Sequence, residues 1–259
     1  MLQNFAEDYE NLMIFALIAF FAGVAALISW AFTRPANRSL AQSIEGIVPP
    51  FIGLPAVLFS LTAALMATSL WENYNVAIKA VRSESQAIAT IIELSDSVSA
   101  INGRHLSNYA KEYAQSVVTD EWPKLSHHSE ASSLTKKRFE DLRHATYQAA
   151  DALNGNAEAK ALINAFQTIN DGRKTRLGFV SFDVHPIRWY AMIILAILVQ
   201  LSTALVHVMK PKALVVAVSV STVIVLVPIC TIAFTLSSPY VGAISISNSP
   251  YLAAIRYSL

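Results

Sequence analysis

Apolar residues gather in four uncharged stretches, and nearly all of the charge lies in one block between the second and the third. Leu12 to Phe32, Ile47 to Trp71, Trp189 to Met209 and Ala213 to Leu236 contain no Asp, Glu, Lys or Arg. Each reaches the roughly 20 residues that carry a helix across a bilayer. The pattern predicts an all-α integral membrane protein: four transmembrane helices, with a helical extramembrane domain inserted between the second and third. By this reading residues 1–71 hold the first two spans, 72–188 the domain, 189–236 the last two spans, and 237–259 an extended C-terminal tail.

The second stretch organises the rest. After Pro55 neither Pro nor Gly interrupts it, and it passes through Trp71 into WENYNVAIKAVRSESQAIATIIE. One rod is therefore expected to start in lipid and end in water, with Trp71 and Tyr74 at the interface that amphipathic rings favour. Gly53, Ala56, Ser60, Ala63 and Ala67 recur at spacings of three and four, which places small side chains on one face. Such a face either packs closely on another helix or lines a pore. In the second case Ala56, Ser60, Ala63 and Ala67 are the pore-lining candidates.

Within the insertion the apolar residues keep helical spacing and Gly is scarce, so four helices are expected. The first continues from the membrane to about Ala100 and stops at Asn102-Gly103, a turn signal. A second runs from about His105 to Trp122, before Pro123. Ser126 to Ser133 reads as a loop. A third helix covers about Leu134 to Leu153 and ends at Asn154-Gly155, and Asn156 caps a fourth. That fourth helix lines up Leu162, Ala165, Phe166, Ile169 and Leu177, with Gly172 as its weak point. In the tail, the alternation of Val241 to Ser247 suits an extended segment between Pro239 and Pro250.

Composition removes several function classes. Net charge is +1, so there is no electrostatic footprint for nucleic acid. The single cysteine, Cys230, forms no intrachain disulfide. The spans lack the ionisable groups that ion-coupled transporters and charge-ringed pores place there, which counts against both. Gln200, Ser202, Thr203 and His207 in the third span and Ser219, Ser221, Thr222, Thr231 and Thr235 in the fourth are the polar side chains left. Hydroxyls there usually bond to their own helix. The alternative is a neutral path in which hydroxyls and apolar constrictions admit a weakly hydrated anion. No catalytic or nucleotide-binding fingerprint occurs, so no enzymatic activity, catalytic residue or cofactor is expected. His127-His128 lacks the spacing of a metal site, and none is assigned.

The insertion carries 14 Lys or Arg and 14 Asp or Glu. Its local excess is DGRKTR at Asp171 to Arg176, where Arg173 and Arg176 share a face. The pair is a candidate for attracting anions to a pore mouth, or for pairing with Glu84 or Glu72 on the first helix of the insertion. Sidedness follows from the short links, which hold Arg34, Arg38, Lys210 and Lys212. Positive residues favour the cytoplasm, so links 33–46 and 210–212 are expected inside and the domain 72–188 with both termini outside, in a bacterial inner membrane.

The order of motifs resembles a family of bacterial and plant membrane proteins with a bestrophin-like domain. The residues that carry it are Trp71-Glu72-Asn73-Tyr74 with Ala77, Val81 and Glu84; Glu121-Trp122-Pro123; Asp171, Arg173, Arg176 and Leu177; and Pro239, Gly242, Ile244 and Ser245. Tyr240 stands where the family usually has Phe, also an aromatic. The resemblance implies similarity to bestrophins: pentameric anion channels with four membrane helices per subunit, the second lining the pore, and the insertion and termini in the cytoplasm. No bestrophin site is carried over residue by residue. Together these readings give an oligomeric passive anion channel in the lipid bilayer, a homo-oligomer with a small anion as its passenger. The alternative is a membrane-anchored sensor or scaffold whose domain binds a ligand or partner protein.

Overall fold

In the computed structural model the described residues are 2–34, 37, 39, 43, 49–97, 100–126, 131–179, 186–235, 240 and 245–256. They fold as helices, and four helices are long and apolar enough to cross a membrane, with candidate spans Leu12–Thr33, Gly53–Leu94, Pro186–Val206 and Pro211–Ala233. Several further helices lie between the second and third of these. The chain divides into two compact units, Met1–Trp71 with Asp183–Ser237 and Glu72–Phe182 with Ser238–Leu259.

The membrane unit contains α1 (Leu2–Thr33), the first part of α2 (Pro49–Leu94), α7 (Pro186–Val206) and α8 (Pro211–Thr235). Its core is Phe21 of α1, Phe59, Ala63 and Met66 of α2, Met192, Ala196 and Val199 of α7, and Val225, Ile229 and Ile232 of α8. A smaller cluster joins Ala25 and Ile28 to Ala204, Leu214 and Val218. The α7–α8 turn ends where Pro211 opens α8; its fixed φ suits the first helical position and its missing N–H has no role there. Hydroxyls in the spans bond back to carbonyls of their own helix, among them Ser60 to Ala56, Thr203 to Val199 and Ser219 to Val215, each at 2.8 Å. The one side-chain bridge across helices here runs, among the described residues, from Gln200 Nε2 to Thr222 Oγ1 at 2.9 Å, with the Phe21 carbonyl at 3.5 Å.

The second unit is a helical bundle: the rest of α2, α3 (Ala100–Ser116), α4 (Trp122–Ser126), α5 (Ser133–Ala152), α6 (Ala157–Gly178) and α9 (Ser249–Arg256). The third and fourth helices of the insertion follow the sequence reading. Asn154 and Gly155 take positive φ after α5, and Asn156 Oδ1 accepts the Ala159 N–H at 2.8 Å to cap α6. Leu162, Ala165, Phe166 and Ile169 are buried as expected, and Leu177 packs at the edge of the same core.

Four local expectations give way. The break after α2 falls at the tight turn Ser95–Ser97 and not at Asn102-Gly103, which lie inside α3. Short polar side chains end the helix there: Ser95 Oγ donates to the Ile92 carbonyl at 2.5 Å, competing with the backbone ladder. Pro123 does not stop helix either. A wide π turn over Val117–Glu121, closed by the Trp122 N–H on the Val117 carbonyl, precedes it and loosens the region where the proline ring would meet the preceding turn. Gly172 is no weak point. A Cβ there would lie 2.8 Å from Glu84 Cβ and 3.1 Å from the Ala80 carbonyl, so only glycine allows α6 and α2 to approach this closely. In the tail, Ser249–Arg256 is helical where an extended segment was expected, and Tyr251 and Ala254 on it are buried. Pro250 sits in its first turn, where the missing N–H costs nothing. Residues 241–244 of the expected extended stretch, and His127-His128, lie outside the described residues.

Candidate functional site

Two features stand out: a charged cluster buried inside the bundle and a continuous exposed stripe on α2. Each follows from how α2 distributes its residues. Phe59, Ala63 and Met66 are buried in the membrane half, and Ala77, Val81, Glu84, Ile88 and Ile91 in the bundle half. All fall on one helical face at steps of three and four with whole turns between. A carboxylate therefore occupies a core position. On α6 the same logic buries Leu162, Phe166 and Ile169 and, further along that face, Arg173 and Arg176.

Glu84, Glu121 and Arg176 have no exposed surface, and Arg173 is 8% exposed. Arg176 Nε and Nη2 donate to the two oxygens of Glu84 at 3.0 and 3.2 Å, and Nη2 also donates to Glu121 Oε2 at 2.7 Å. Arg173 Nη2 reaches Glu121 Oε1 at 2.6 Å. Two tyrosines complete the shell of Glu84, Tyr113 donating at 2.5 Å and Tyr251 at 2.8 Å. Tyr240 donates to the Arg176 carbonyl at 2.8 Å. Trp122 meets the rings of Tyr240 and Tyr251 edge-on, with centroids 5.2 and 6.0 Å apart. The two carboxylates and two guanidiniums cancel, so the bundle buries charge without burying net charge.

Electrostatics lock these states. Burial, reinforced by the Glu84 carboxylate, pushes the Tyr113 and Tyr251 hydroxyls well above their ordinary range, so both remain donors. Burial also raises Tyr240, with Arg176 opposing. For Arg176, burial disfavours the charge, but Glu84, Tyr251 and Glu121 outweigh it and hold the guanidinium protonated. The cluster is a structural knot. No cluster of metal-ligating side chains occurs among the described residues.

Arg176 thus takes the pairing alternative with Glu84, Glu121 joins it and is the partner of Arg173, and the charge of both arginines faces inward. Glu72 stays exposed and makes no ion pair among the described residues. The signal for Glu84 was present as a carboxylate on an otherwise apolar face, and the same holds for the two arginines. Glu121 had no such signal, because the π turn shifts the register that would place it. Tyr240 does more than replace one aromatic by another, since its hydroxyl closes a helix-end carbonyl that Phe would leave open.

The small residues of the second span divide. Ala63 belongs to the membrane unit's own core at 7% exposure, and Ala56 packs against it. Ser60 and Ala67 are exposed. Opposite the buried face runs an exposed stripe, Leu54, Leu61, Leu65, Thr68, Glu72, Val76 and Lys79, continuing to Gln86, Thr90 and Glu93.

The comparisons agree with this architecture. A membrane protein of known crystal structure superposes with a TM-score of 0.69 at 11% identity, over 95% of this chain and 97% of the other. A bacterial bestrophin homologue from Klebsiella pneumoniae, carrying one substitution, gives 0.68 at 12% identity, again over 95% and 97%. At such identities the likeness is one of fold. No curated protein matches the sequence.

Removing one partner from the cluster leaves a buried charge uncompensated, which costs about 3–5 kcal/mol. Arg176→Met should lower the denaturation midpoint of the bundle accordingly. Arg138→Met, which breaks an exposed pair with Glu112, should change stability by less than about 1 kcal/mol. Tryptophan fluorescence in a denaturant titration of the detergent-solubilised protein, with Trp30, Trp71 and Trp189 replaced by Phe so that Trp122 reports alone, reads both; equal small effects would show that the cluster does not hold the bundle.

The family assignment rests on the sequence itself, since the bestrophin-like domain pattern matches residues 19–251: this chain belongs to the bestrophin-like domain family.

Proposed function

We propose that the protein is an oligomeric passive ion channel, with α2 from each copy lining the path and small anions as the passengers. The observation that carries this reading is the division of α2 into one buried face and one exposed stripe along its length. A pore helix presents one face to the path throughout; beyond the bilayer an exposed polar face is what any surface helix of a bundle shows, so the weight falls on the membrane half. In the membrane half the stripe is Leu54, Leu61 and Leu65, which in an oligomer form apolar rings that a weakly hydrated anion passes more readily than a strongly hydrated cation. Ser60 and Ala67, on the flank, let the next copy's helix approach closely. Membership of the bestrophin-like family supports the same reading.

For sidedness we favour the arrangement implied by the family, with the bundle and termini in the cytoplasm. The bias of the short links loses its force because Lys79, Arg82, Lys174 and Arg188, all exposed, lie within about 20 residues of a span on the bundle side and match in number Arg34, Arg38, Lys210 and Lys212. With Cys230 replaced by Ala, a Ser133→Cys protein in intact cells should resist an impermeant thiol reagent. Labelling without lysis would restore the charge-based orientation, with the domain outside.

Halide flux from liposomes holding the purified protein tests conduction. Wild type should exceed empty liposomes, and Leu65→Ala, which widens an apolar ring, should raise the rate several-fold. Flux untouched by Leu65→Ala but abolished by Ser60→Leu in an intact oligomer would move the lining to the small residues Ala56, Ser60, Ala63 and Ala67. No flux from a folded, monodisperse preparation would favour the sensor or scaffold.

A further inference from the structure

α2 is one unbroken helix of 46 residues, and its exposed stripe changes character at a single point. From Leu54 to Thr68 the stripe carries no charge, and the next residue on it, one turn on, is Glu72. Glu72 is exposed and has no ion-pair partner among the described residues, in contrast to Glu84 and Glu121, whose charge is consumed inside the bundle. The nearest opposite charge on the same stripe, Lys79, lies seven residues further, about 10 Å along the axis at 1.5 Å per residue. That exceeds the screening length of about 8 Å at physiological salt, so Lys79 leaves the Glu72 charge largely unmatched. Glu93 adds a second carboxylate at the far end of the stripe.

We propose that Glu72 is the charge-selectivity residue of the path, setting a carboxylate one turn beyond the uncharged section of the exposed stripe of α2. The assignment rests on the channel reading above. One carboxylate per copy makes a ring in an oligomer, and rings of Asp or Glu attract cations and repel anions. The protein then combines two opposed filters. Its leucine section favours weakly hydrated anions, and Glu72 restrains them at one mouth while drawing cations in. The native balance between chloride and sodium is therefore weaker than the apolar section alone would give, and the side chain of residue 72 tunes it. Among the described residues no ion pair or hydrogen bond uses this carboxylate, which separates its role from that of the buried cluster.

Reversal potentials in planar bilayers under a sodium chloride gradient test the assignment, with wild type, Glu72→Gln, Glu72→Lys and Glu93→Gln compared. Glu72→Gln should raise the chloride-to-sodium permeability ratio at least about threefold, the size expected for removing a unit charge a few ångströms from the ion in a well-hydrated mouth. Glu72→Lys should raise it further. Glu93→Gln, about 30 Å away along the helix, should change it less. Because Glu72 is exposed and makes no ion pair among the described residues, these proteins should fold as wild type, and melting curves check that. Unchanged reversal potentials in both Glu72 variants, with current retained and still sensitive to Leu65→Ala, would overturn the selectivity role and leave the channel reading standing. Absence of current from the folded wild-type oligomer would remove both.

Discussion

The ion pair between Glu84 and Arg176 is the constraint from which the bundle takes its form. Neither side chain touches solvent, and each is tolerable only because the other is there. The neighbouring features serve that pair. Gly172 has no side chain because Glu84 needs the room. The π turn over Val117–Glu121 turns Glu121 inward, where it accepts from Arg176 and Arg173. Tyr113 and Tyr251 satisfy the oxygens of Glu84, and the C-terminal helix is held by Tyr251. An apolar core of equal volume is often as stable or more so, so the ion pairs are no measure of the bundle's stability; what they require is that α2, α6 and the turn carrying Glu121 meet in one register to satisfy each other.

That constraint also divides α2. Its bundle half is held on the Glu84 face, and its membrane half buries Phe59, Ala63 and Met66 on the same face. What is left is the exposed stripe. In a helix of this length a stripe maintained over a dozen turns is a property of the whole element, and the functional proposals follow from which residues fall on it. Leu61, Leu65 and Glu72 are prominent because they lie opposite the packing, while Ala63, equally small-faced in the sequence, is drawn into the core.

Much of the fold was legible because it depends on strong, local signals. Uncharged runs longer than a bilayer needs marked the spans, and Asn154-Gly155 followed by Asn156 marked both the end of α5 and the start of α6. The parts that were not legible depend on tertiary context. Asn102-Gly103 is a good turn signal in isolation, but the chain had already turned at Ser95, whose hydroxyl takes its own helix's carbonyl. Pro123 reads as a stop until the preceding turn widens. Gly172 looks like a defect until α2 is placed beside it. For the two arginines the sequence offered pairing as an alternative, and the ion pairs with Glu84 and Glu121 show it. For the small residues of α2 it could not tell packing from exposure, since Ala63, which is buried, and Ser60 and Ala67, which are exposed, look the same at helical spacing.

One face of α2 packs, and a thiol-accessibility scan decides whether the opposite face lines the proposed ion path. In a Cys230→Ala background, single cysteines would be placed at Leu61, Leu65, Thr68 and Glu72, and at Phe59, Ala63 and Met66, and flux measured before and after an impermeant thiol reagent. Block is expected at the first four and none at the last three. Block at Phe59, Ala63 and Met66, or block without helical period, would contradict the proposal.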